Sequence, residues 1–364
     1  MKTLAKVILG LIIALIVAAG IFGVMLYQTT NSPVGANGRE PIQFTIELGT
    51  NSYQINAELA ELGLIRNARL ANLVVRLHGW SNIQAGEYEL SFDLSLREIY
   101  ALFKGGNGVE ATVLHRVTIP EGETLPFIAG VMAPVTGLTA AELLTQWGDP
   151  EFLQRLIADY WFLTEAILAD GIMYPLEGYL YPLTYDFINE RYEVDELTRK
   201  LLDVTATRLE PVRGLIETSD FTVHEVFTFA SIIEAETQNK DQMADVAGVF
   251  YNRLKMGIKL QSCATVQYIL AERVTHVTYE MTFIDSPFNT YLYEGLSIGP
   301  VNSPSIGAIR AALEPASHGY LFFIGDIFHC IDGKTHFFTN FDDHQEFTRN
   351  YLQPSYDAGE NVCR

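Results

Sequence analysis

An uncharged apolar stretch near the N-terminus constrains the chain more than any other feature. From Val7 to Leu26 the sequence reads VILGLIIALIVAAGIFGVML, without a single charged residue. At the rise of an α-helix this stretch is long enough to span the hydrocarbon core of a bilayer. Lys2 and Lys6 precede it, so the positive-inside rule places the N-terminus in the cytoplasm. The sequence therefore predicts a single-pass membrane anchor over residues 1–28, with the rest of the chain outside the cell membrane.

A cleaved signal peptide is the alternative interpretation of the same stretch. Its apolar core would be shorter, and a cleavage site of small residues should follow it. Residues 29–41, TTNSPVGANGREP, are instead rich in Gly, Pro, Ser and Asn and have no apolar period. That composition is typical of a linker, so we favour an uncleaved anchor followed by a short connection.

The rest of the composition indicates a globular chain that does not bind nucleic acid. Of the 364 residues 48% are hydrophobic and 12% aromatic, which argues against disorder. The formal net charge is −20, whereas phosphate binding needs clustered Lys and Arg. We therefore expect no nucleic-acid partner.

Two α+β regions are predicted after the linker. Residues 42–110 combine alternating strand-like runs with helix-start signals, among them the capping-box spacing of Ser95-Leu-Arg-Glu98. Residues 111–352 are mostly helical to about residue 212 and later contain strand-like runs at Tyr320–Ile324 and His336–Thr339. Residues 353–364 form a tail. The predicted fold class is α+β throughout.

Cysteine and histidine spacing predicts neither a disulfide framework nor a metal site. Cys263, Cys330 and Cys363 contain no CxxC pair, so three unpaired thiols are favoured, with a Cys330–Cys363 bridge left open. The histidines at 329, 336 and 344 match no known metal-ligand spacing. We expect no metal and no cofactor.

One predicted helix carries a carboxylate suited to catalysis. Thr222-Val-His-Glu225 has capping-box spacing and opens a helix through VFTFASIIEAET. On a helical wheel Glu234 falls on the apolar side, near Ala230, where a carboxylate is shielded from water as a general acid often is. A buried ion pair, for instance with Arg253, would explain the same pattern. The residues alone leave both interpretations open.

Several ordered sequence blocks resemble one enzyme family. The blocks are Ile119-Pro-Glu-Gly122, Glu177-Gly-Tyr-Leu-Tyr-Pro182, Ala230-Ser-Ile-Ile-Glu-Ala-Glu-Thr237, Val249-Phe-Tyr-Asn-Arg-Leu254, Leu260-Gln-Ser262, Ser286-Pro-Phe-Asn-Thr-Tyr291, Gly295-Leu-Ser-Ile-Gly-Pro300 and His336-Phe-Phe-Thr339 with His344. They closely resemble the MltG/YceG family of endolytic murein transglycosylases. The resemblance covers nearly everything from about residue 44 to Tyr351, in order.

The resemblance implies a function and a catalytic residue. The catalytic glutamate of the family maps onto Glu234, the module at 42–110 would be LysM-like, and the substrate would be peptidoglycan glycan strands. Glu234 would protonate the oxygen of a MurNAc–GlcNAc bond and then deprotonate the sugar 6-hydroxyl, which closes a 1,6-anhydro ring without water. Cell-wall synthases, the penicillin-binding proteins, are the expected protein partners.

A group of polar residues in the matching blocks is expected to contact the sugar. Several of them could instead cap helices or fix loops. The group consists of Asn252, Arg253, Gln261, Ser286, Asn289, Thr290, Tyr291 and His336.

The chain departs from the family pattern at four positions. Cys263 and Ala264 occupy the positions of an Asp-Pro pair in most family members. Leu183 replaces the usual Asp, and Ala235 replaces a frequent Lys. Losing two carboxylates lowers the chance that a second acid assists Glu234. Two other functions remain open, a catalytically weak glycan-binding scaffold and an ordinary glycoside hydrolase. A hydrolase needs a second acid across the cleft, for which the sequence offers Glu121, Glu177, Glu236 and Asp285.

Overall fold

A computed structural model describes most of the chain in two compact units. The units are Met1–Arg116 with Asp186–Glu190, and Val117–Tyr185 with Arg191–Arg364. Most of the predicted anchor, the predicted boundary at residue 110, Cys330, Cys363 and the tail lie outside the described residues. The structure describes residues 20, 22–35, 39–47, 50–80, 83–105, 113–187, 189–237, 239–270, 274, 277–325 and 334–352.

Among the described residues no single helix has the length and apolar character that are needed to cross a membrane. The helices Leu125–Thr136 and Ala140–Trp147, bent by 108° relative to each other, are long and apolar enough only as a pair, by length and composition alone.

The first unit is a small α+β assembly. Strands β1 and β2 pair antiparallel, with Phe44 opposite Tyr88, and two helices lie between them along the chain. The predicted Ser95–Glu98 capping box is present, since each residue bonds the other's backbone N–H. The elements are α1 (22–31), β1 (Ile42–Ile46), α2 (Ser52–Glu61), α3 (Ala68–His78), β2 (Gly86–Leu90) and α4 (Leu96–Gly105).

A contiguous apolar core holds this first unit together. Phe44, Leu90 and Phe103 are each at most 1% exposed, and the alternating burial of β2 places its glutamates outside. Leu26 of α1 packs against the same core. Tyr88 and Leu90 lie on the buried face of β2, which confirms an alternating strand-like run in this region.

The second unit is mainly helical. Strands β3 (His115–Thr118) and β4 (Thr184–Phe187) each contain residues of both units, and the second unit later contains the antiparallel pair β5 (Phe322–Gly325) and β6 (Thr335–Phe338). The predicted α+β class is thus confirmed. The helices are α5 (Leu125–Thr136), α6 (Ala140–Trp147), α7 (Pro150–Asp159), α8 (Val194–Leu209), α9 (Arg213–Glu217), α10 (Val223–Glu236), α11 (Met243–Lys255), α12 (Cys263–Ile269), α13 (Ile306–Leu313) and α14 (Phe341–Phe347).

Helix α10 is central to the second unit. It begins with the predicted capping box, in which the Thr222 side chain accepts from the backbone N–H of Glu225 and Glu225 bonds back. Helices α11 and α13 pack against it. The polar side of its wheel is also buried, because the Ser231 hydroxyl accepts from Val301 N at 3.0 Å and the Ser231 carbonyl accepts from Asn302 Nδ2 at 2.9 Å. The 295–305 loop is thereby fixed to α10.

A buried histidine fixes the same loop at a second point. His224 Nε2 lies 2.8 Å from the Ile298 carbonyl oxygen, and its Nδ1 lies 2.7 Å from the Tyr179 hydroxyl. Burial lowers the pKa of His224, which favours the neutral ring. A neutral ring can donate from Nε2 to the carbonyl and accept from the tyrosine, so both bonds are satisfied.

Candidate active site

Glu234 lies in the last turn of α10 and is held by the start of another helix. Its Oε2 accepts hydrogen bonds from Ser305 N at 2.9 Å and from Ser305 Oγ at 2.6 Å. Ser305 is the N-cap of α13, and its Oγ also accepts from Ala308 N at 3.2 Å. One serine thus caps α13 and fixes the rotamer of the carboxylate.

The second carboxylate oxygen of Glu234 is available to a ligand. Across the described residues Oε1 has no protein hydrogen-bond partner, and Glu234 forms no ion pair. The alternative interpretation, a structural ion pair with Arg253, is therefore wrong. Glu234 is half-buried, with one oxygen anchored and one free. That is a suitable geometry for a group that gives and takes a proton.

Gly122 forms a wall beside Glu234. It has a φ of +74°, and a Cβ built there would lie 3.8 Å from Glu234 Cγ. The Gly122 N–H donates to the Ser303 carbonyl at 2.9 Å, two residues before the serine that holds the carboxylate. The Ile119–Gly122 block therefore contributes to the same site as the 295–305 loop, through a left-handed backbone that favours glycine.

An exposed ion pair adds charge near Glu234. The Lys240 ammonium bonds the Glu121 carboxylate, which raises the pKa of Lys240, and the charge of Glu234 adds to this rise. The lysine side chain is 62% exposed. Glu121, one of the four possible second acids, therefore holds the Lys240 ammonium close to the Glu234 carboxylate.

Glu236 faces a separate cavity, which we call the Arg253 cavity. Burial raises the pKa of Glu236, although hydrogen bonds from the Ser262 hydroxyl and the Ala264 N–H oppose the rise. The cavity has a volume of about 380 Å³. It is lined by Glu236, Phe250, Arg253, Leu260, Gln261, Cys263, Tyr291, Phe322, Phe323, Ile324, Phe341 and His344.

Three of the predicted substrate contacts meet in the Arg253 cavity. They are Arg253, Gln261 and Tyr291. Gln261 has a φ of 53°, and no other non-glycine residue in the described ranges has a positive φ. Such a backbone is strained and often occurs where a chain contacts a ligand.

The other predicted contacts hold loops or lie elsewhere. Asn252 donates to the carbonyls of His318 and Tyr320, while buried Asn289 donates to those of Thr282 and Ile284. Buried Thr290 accepts from Ser262 N. Ser286 accepts from Phe288 N, and the His336 ring lies 4.7 Å from that of Phe347. Contact of these residues with sugar stays a prediction.

The remaining possible second acids are engaged within the protein. Glu177 is 1% exposed and accepts from Leu125 N with both oxygens, at 2.9 and 3.0 Å. Burial raises its pKa to about 8. Asp285 accepts from the Tyr293 hydroxyl at 2.6 Å. Across the described residues no group of three His, Cys, Asp or Glu side chains is arranged for a metal ion.

The four departures from the family pattern differ in their surroundings. Cys263 is a free thiol whose Sγ lies 3.1 Å from the Tyr291 hydroxyl, and Ala264 gives its N–H to Glu236. Ala235 is exposed between the two glutamates of the helix. Leu183 offers its carbonyl to Ile119 N at 2.9 Å. Two departures therefore alter the Arg253 cavity directly.

Sequence reasoning missed Ser305 and Lys240 as neighbours of Glu234. A serine before the apolar run IGAIRAAL is a visible N-cap signal, so the start of α13 was within reach. The contact between Ser305 and Glu234 could not be predicted, because the two residues are 71 positions apart in the sequence. Nothing local in the sequence marks Lys240.

Comparison with known proteins finds two similar proteins that are named for a function. An "Endolytic murein transglycosylase" of Streptococcus pneumoniae serotype 2 is 32% identical over 91% of this chain and 62% of its own length. One from Bacillus subtilis is 28% identical over 91% of this chain and 90% of its own. The chain thus spans about three-fifths of the pneumococcal relative.

A solved structure and the model of a protein family also match this chain. A crystal structure described as a YceG-like protein from Listeria monocytogenes has a TM-score of 0.60 and 32% identity, covering 85% of this chain and 99% of that one. The model of the YceG-like family matches residues 44–350. The match covers well over half of the chain, and the chain belongs to the YceG-like family.

Proposed function

We propose that this chain is an endolytic lytic transglycosylase that cuts peptidoglycan glycan strands. The observation that carries the proposal is the arrangement of Glu234, one carboxylate with one anchored and one free oxygen. The relatives named endolytic murein transglycosylase support it. The substrate bond is the β-1,4 linkage between MurNAc and GlcNAc, and the product carries a 1,6-anhydro-MurNAc end. Such cuts would terminate or trim strand elongation.

One carboxylate is sufficient for this chemistry. Protonated Glu234 gives its proton from Oε1 to the glycosidic oxygen, and the bond to the leaving sugar breaks. The carboxylate so formed then removes the proton of the 6-hydroxyl, whose oxygen attacks the anomeric carbon. Glu234 ends in its starting state. The two Ser305 donors hold Oε2 through both steps, so the geometry is preorganised.

Placement at the membrane belongs to the same proposal. The uncharged stretch Val7–Leu26 supports a single-pass anchor with a cytoplasmic N-terminus, and an extracytoplasmic catalytic region then meets the cell wall. The β1-α2-α3-β2 order of the first unit supports a LysM-like module. Cell-wall synthases, the penicillin-binding proteins, are the proposed partners, because a nascent strand is released where it is made.

The test is digestion of purified glycan strands by the full-length chain in nanodiscs. Mass spectrometry of the product ends should detect anhydro-muramyl termini. Reducing ends would indicate hydrolysis, and an absence of cleavage would favour the scaffold function.

The variant Glu234→Gln should bind strands and cut them at least about 10³-fold more slowly, because the amide cannot transfer the proton. Glu225→Gln is the matched control, since it makes the same change on the same helix and Gln also completes a capping box. If Glu234→Gln cuts as fast as Glu225→Gln, the assignment of Glu234 is wrong.

A further inference from the structure

A small basic pocket with an aromatic wall lies in the first unit, and we call it the Trp80 pocket. Its volume is about 260 Å³. Arg97, Tyr100 and Lys104 are spaced by three and four residues along α4, so they share one face of that helix. The end of α3 and the residues after it complete the pocket. The side chains that line it include His78, Trp80, Ile83, Arg97, Tyr100 and Lys104.

The aromatic wall of the Trp80 pocket is fixed by ring contacts. The Trp80 ring centroid lies 5.0 Å from that of His78 and 5.5 Å from that of Tyr100. The Tyr100 hydroxyl donates to the side chain of buried Asn56 at 3.0 Å. Among the described residues the indole N–H of Trp80 has no acceptor. The wall is therefore a stack of rings with one free hydrogen-bond donor.

The two cations of the pocket have no partner within the part of the chain that the structure describes. Neither Arg97 nor Lys104 forms an ion pair or a side-chain hydrogen bond there. Glu98, next to Arg97 in the sequence, accepts instead from the N–H and the hydroxyl of Ser95, at 2.8 and 2.7 Å. The residues that line the pocket include no Asp or Glu. Two basic side chains without a counter-charge, beside a free N–H donor, suit a phosphate group.

The Trp80 pocket adjoins the end of the predicted anchor. A second cavity, of about 240 Å³, shares His78 and Arg97 with the pocket and is also lined by Leu26, Tyr27 and Asn31 of α1. Leu26 is the last residue of the uncharged stretch, and Asn31 lies five residues beyond it. At the rise of an α-helix five residues extend about 8 Å, which is comparable to the depth of the headgroup layer on one side of a bilayer. In an anchored chain the pocket therefore lies at the level of the lipid headgroups.

Two large exposed side chains beside the pocket fit this location. Tyr27 of α1 and Leu77 of α3 are 68% and 64% exposed, and both line the second cavity. Tyrosine and tryptophan are enriched where a membrane meets water, because their rings are amphipathic. An anionic surface repels a chain with a net charge of −20, so a local pair of cations is needed to hold part of it there.

We propose that the Trp80 pocket binds the phosphate of an anionic phospholipid in the membrane that holds the anchor. Arg97, Lys104 and the indole N–H of Trp80 donate to the phosphate oxygens. The volume is below the roughly 300–1,000 Å³ of sites that enclose drug-sized ligands, which favours a headgroup over several sugars of a glycan strand. The inference rests on the anchor of the proposed function and deepens it, because a bound headgroup holds the first unit against the membrane surface.

Native mass spectrometry of the full-length chain tests which lipid stays bound to it. The chain is released from nanodiscs that contain equal amounts of phosphatidylglycerol and phosphatidylcholine. Each cation near an anionic surface strengthens binding by about fivefold, so phosphatidylglycerol should be retained over phosphatidylcholine by about tenfold or more. Equal retention of the two lipids overturns the inference.

Two double variants connect the lipid preference to the pocket. Arg97→Gln with Lys104→Gln should retain the two lipids almost equally, and it should fold normally because both side chains are exposed and unpaired among the described residues. The matched control is Arg69→Gln with Arg76→Gln, which removes two exposed cations from the side of α3 that is opposite to Val74. The control should keep the full preference for phosphatidylglycerol. A preference of the same size in both double variants overturns the inference.

A second measurement places the pocket relative to the membrane. Tryptophan fluorescence in nanodiscs is compared between the wild-type chain and Trp80→Phe, and the difference is the signal of Trp80. A spin label on the lipid headgroup should quench this signal more strongly than a label near the end of the acyl chains. If the headgroup label does not quench it, the pocket lies away from the membrane and the inference is overturned.

Other outcomes separate the lipid site from a glycan site and from the proposed function. If Arg97→Gln with Lys104→Gln weakens binding of glycan strands and leaves the lipid preference unchanged, the pocket binds glycan and the inference is overturned. If alkaline carbonate extracts the wild-type chain from membranes, the anchor is wrong and the inference fails with it. If the chain stays in the membrane and cuts strands but retains both lipids equally, only the lipid site is wrong. A chain that prefers phosphatidylglycerol but cuts no strands keeps the lipid site and loses the proposed activity.

Discussion

Two glutamates each accept a hydrogen bond from the start of a helix. Glu234, at the C-terminal end of α10, meets the start of α13, and Glu177 meets the start of α5. Glu234 accepts from the N-cap residue of α13, and Glu177 accepts from Leu125, the first residue of α5. Both carboxylates thus meet the positive end of a helix dipole. They differ in access, because Glu234 is half-buried with a free oxygen while both oxygens of Glu177 are enclosed and 1% of the residue is exposed.

This difference in access indicates that Glu177 is the structural glutamate of the two. Burial raises the pKa of Glu177 to about 8, so at neutral pH it is mostly a neutral acid that caps α5. A raised pKa often marks a catalytic acid. At Glu177 the raised pKa belongs to a buried group that caps a helix. The free oxygen of Glu234 is therefore the better indication of a catalytic group.

The largest expected effect is the loss of stability on removing the buried cap. Glu177→Ala leaves the Leu125 N–H without its acceptor and opens a void, which should lower the free energy of unfolding by about 3 kcal/mol. Glu234→Ala should lower it by less than about 1 kcal/mol, because its side chain is half-exposed. Urea unfolding followed by tryptophan fluorescence compares the two. Equal losses would remove the distinction between cap and active site.

A second prediction concerns pH. The folded-state pKa of Glu177 is raised from 4.5 to about 8, so the folded chain binds a proton that the unfolded chain releases between these values. Its contribution to stability is fully present below pH 4.5 and is lost as pH rises through 8. The loss approaches about 1.4 kcal/mol per pH unit inside this window.

The variant Glu177→Gln isolates this contribution from other titrations. Its amide cannot ionise, so its unfolding free energy relative to wild type should improve steadily from pH 5 to pH 8. Chemical denaturation at four pH values measures the difference. Parallel pH curves for the two proteins would show that Glu177 is ionised in the folded state.

A third prediction concerns the serine that anchors Glu234. Ser305→Ala removes the Oγ donor and leaves the backbone N–H, so kcat should fall about tenfold while KM changes little. Loss of the α13 cap should also lower the free energy of unfolding by about 1 kcal/mol. Turnover is followed by release of anhydro ends.

Ser95→Ala is the control for that variant, because it removes the capping serine of α4 in the other unit. It should cost a similar amount of stability and leave kcat unchanged. If both variants lower kcat equally, the effect of Ser305 comes from stability and not from its hold on Glu234.

Local signals predicted the parts of the site that depend on local structure. The Thr222–Glu225 capping box and the strand-like runs near β5 and β6 were correctly predicted, because capping and alternation involve neighbours in sequence. Glu234 as the catalytic residue is a prediction from the resemblance. Helix α3 was not predicted, although its N-cap Asn67 and its αL residue Gly79 are standard signals.

Long-range contacts could not be predicted. Burial of the polar side of α10 depends on the 295–305 loop, and Ser231 meets that loop 70 and 71 residues away. A helical wheel records which residues share a side and cannot say what covers it. Which of the polar residues around Tyr291 would line a cavity also depended on tertiary packing, since Asn289 is only two residues away and fully buried.

The smallest expected effect concerns the exposed charges near Glu234. Lys240→Met removes an exposed ion pair with Glu121, so the free energy of unfolding should change by less than about 1 kcal/mol. Its field acts on Glu234, so kcat/KM should change a few-fold at low salt and converge with wild type as salt screens the charge. Arg310→Met removes another exposed pair, with Glu314, and should leave the salt dependence unchanged. A Lys240→Met effect that persists unchanged at high salt would show that the lysine contacts substrate directly instead of acting through its field.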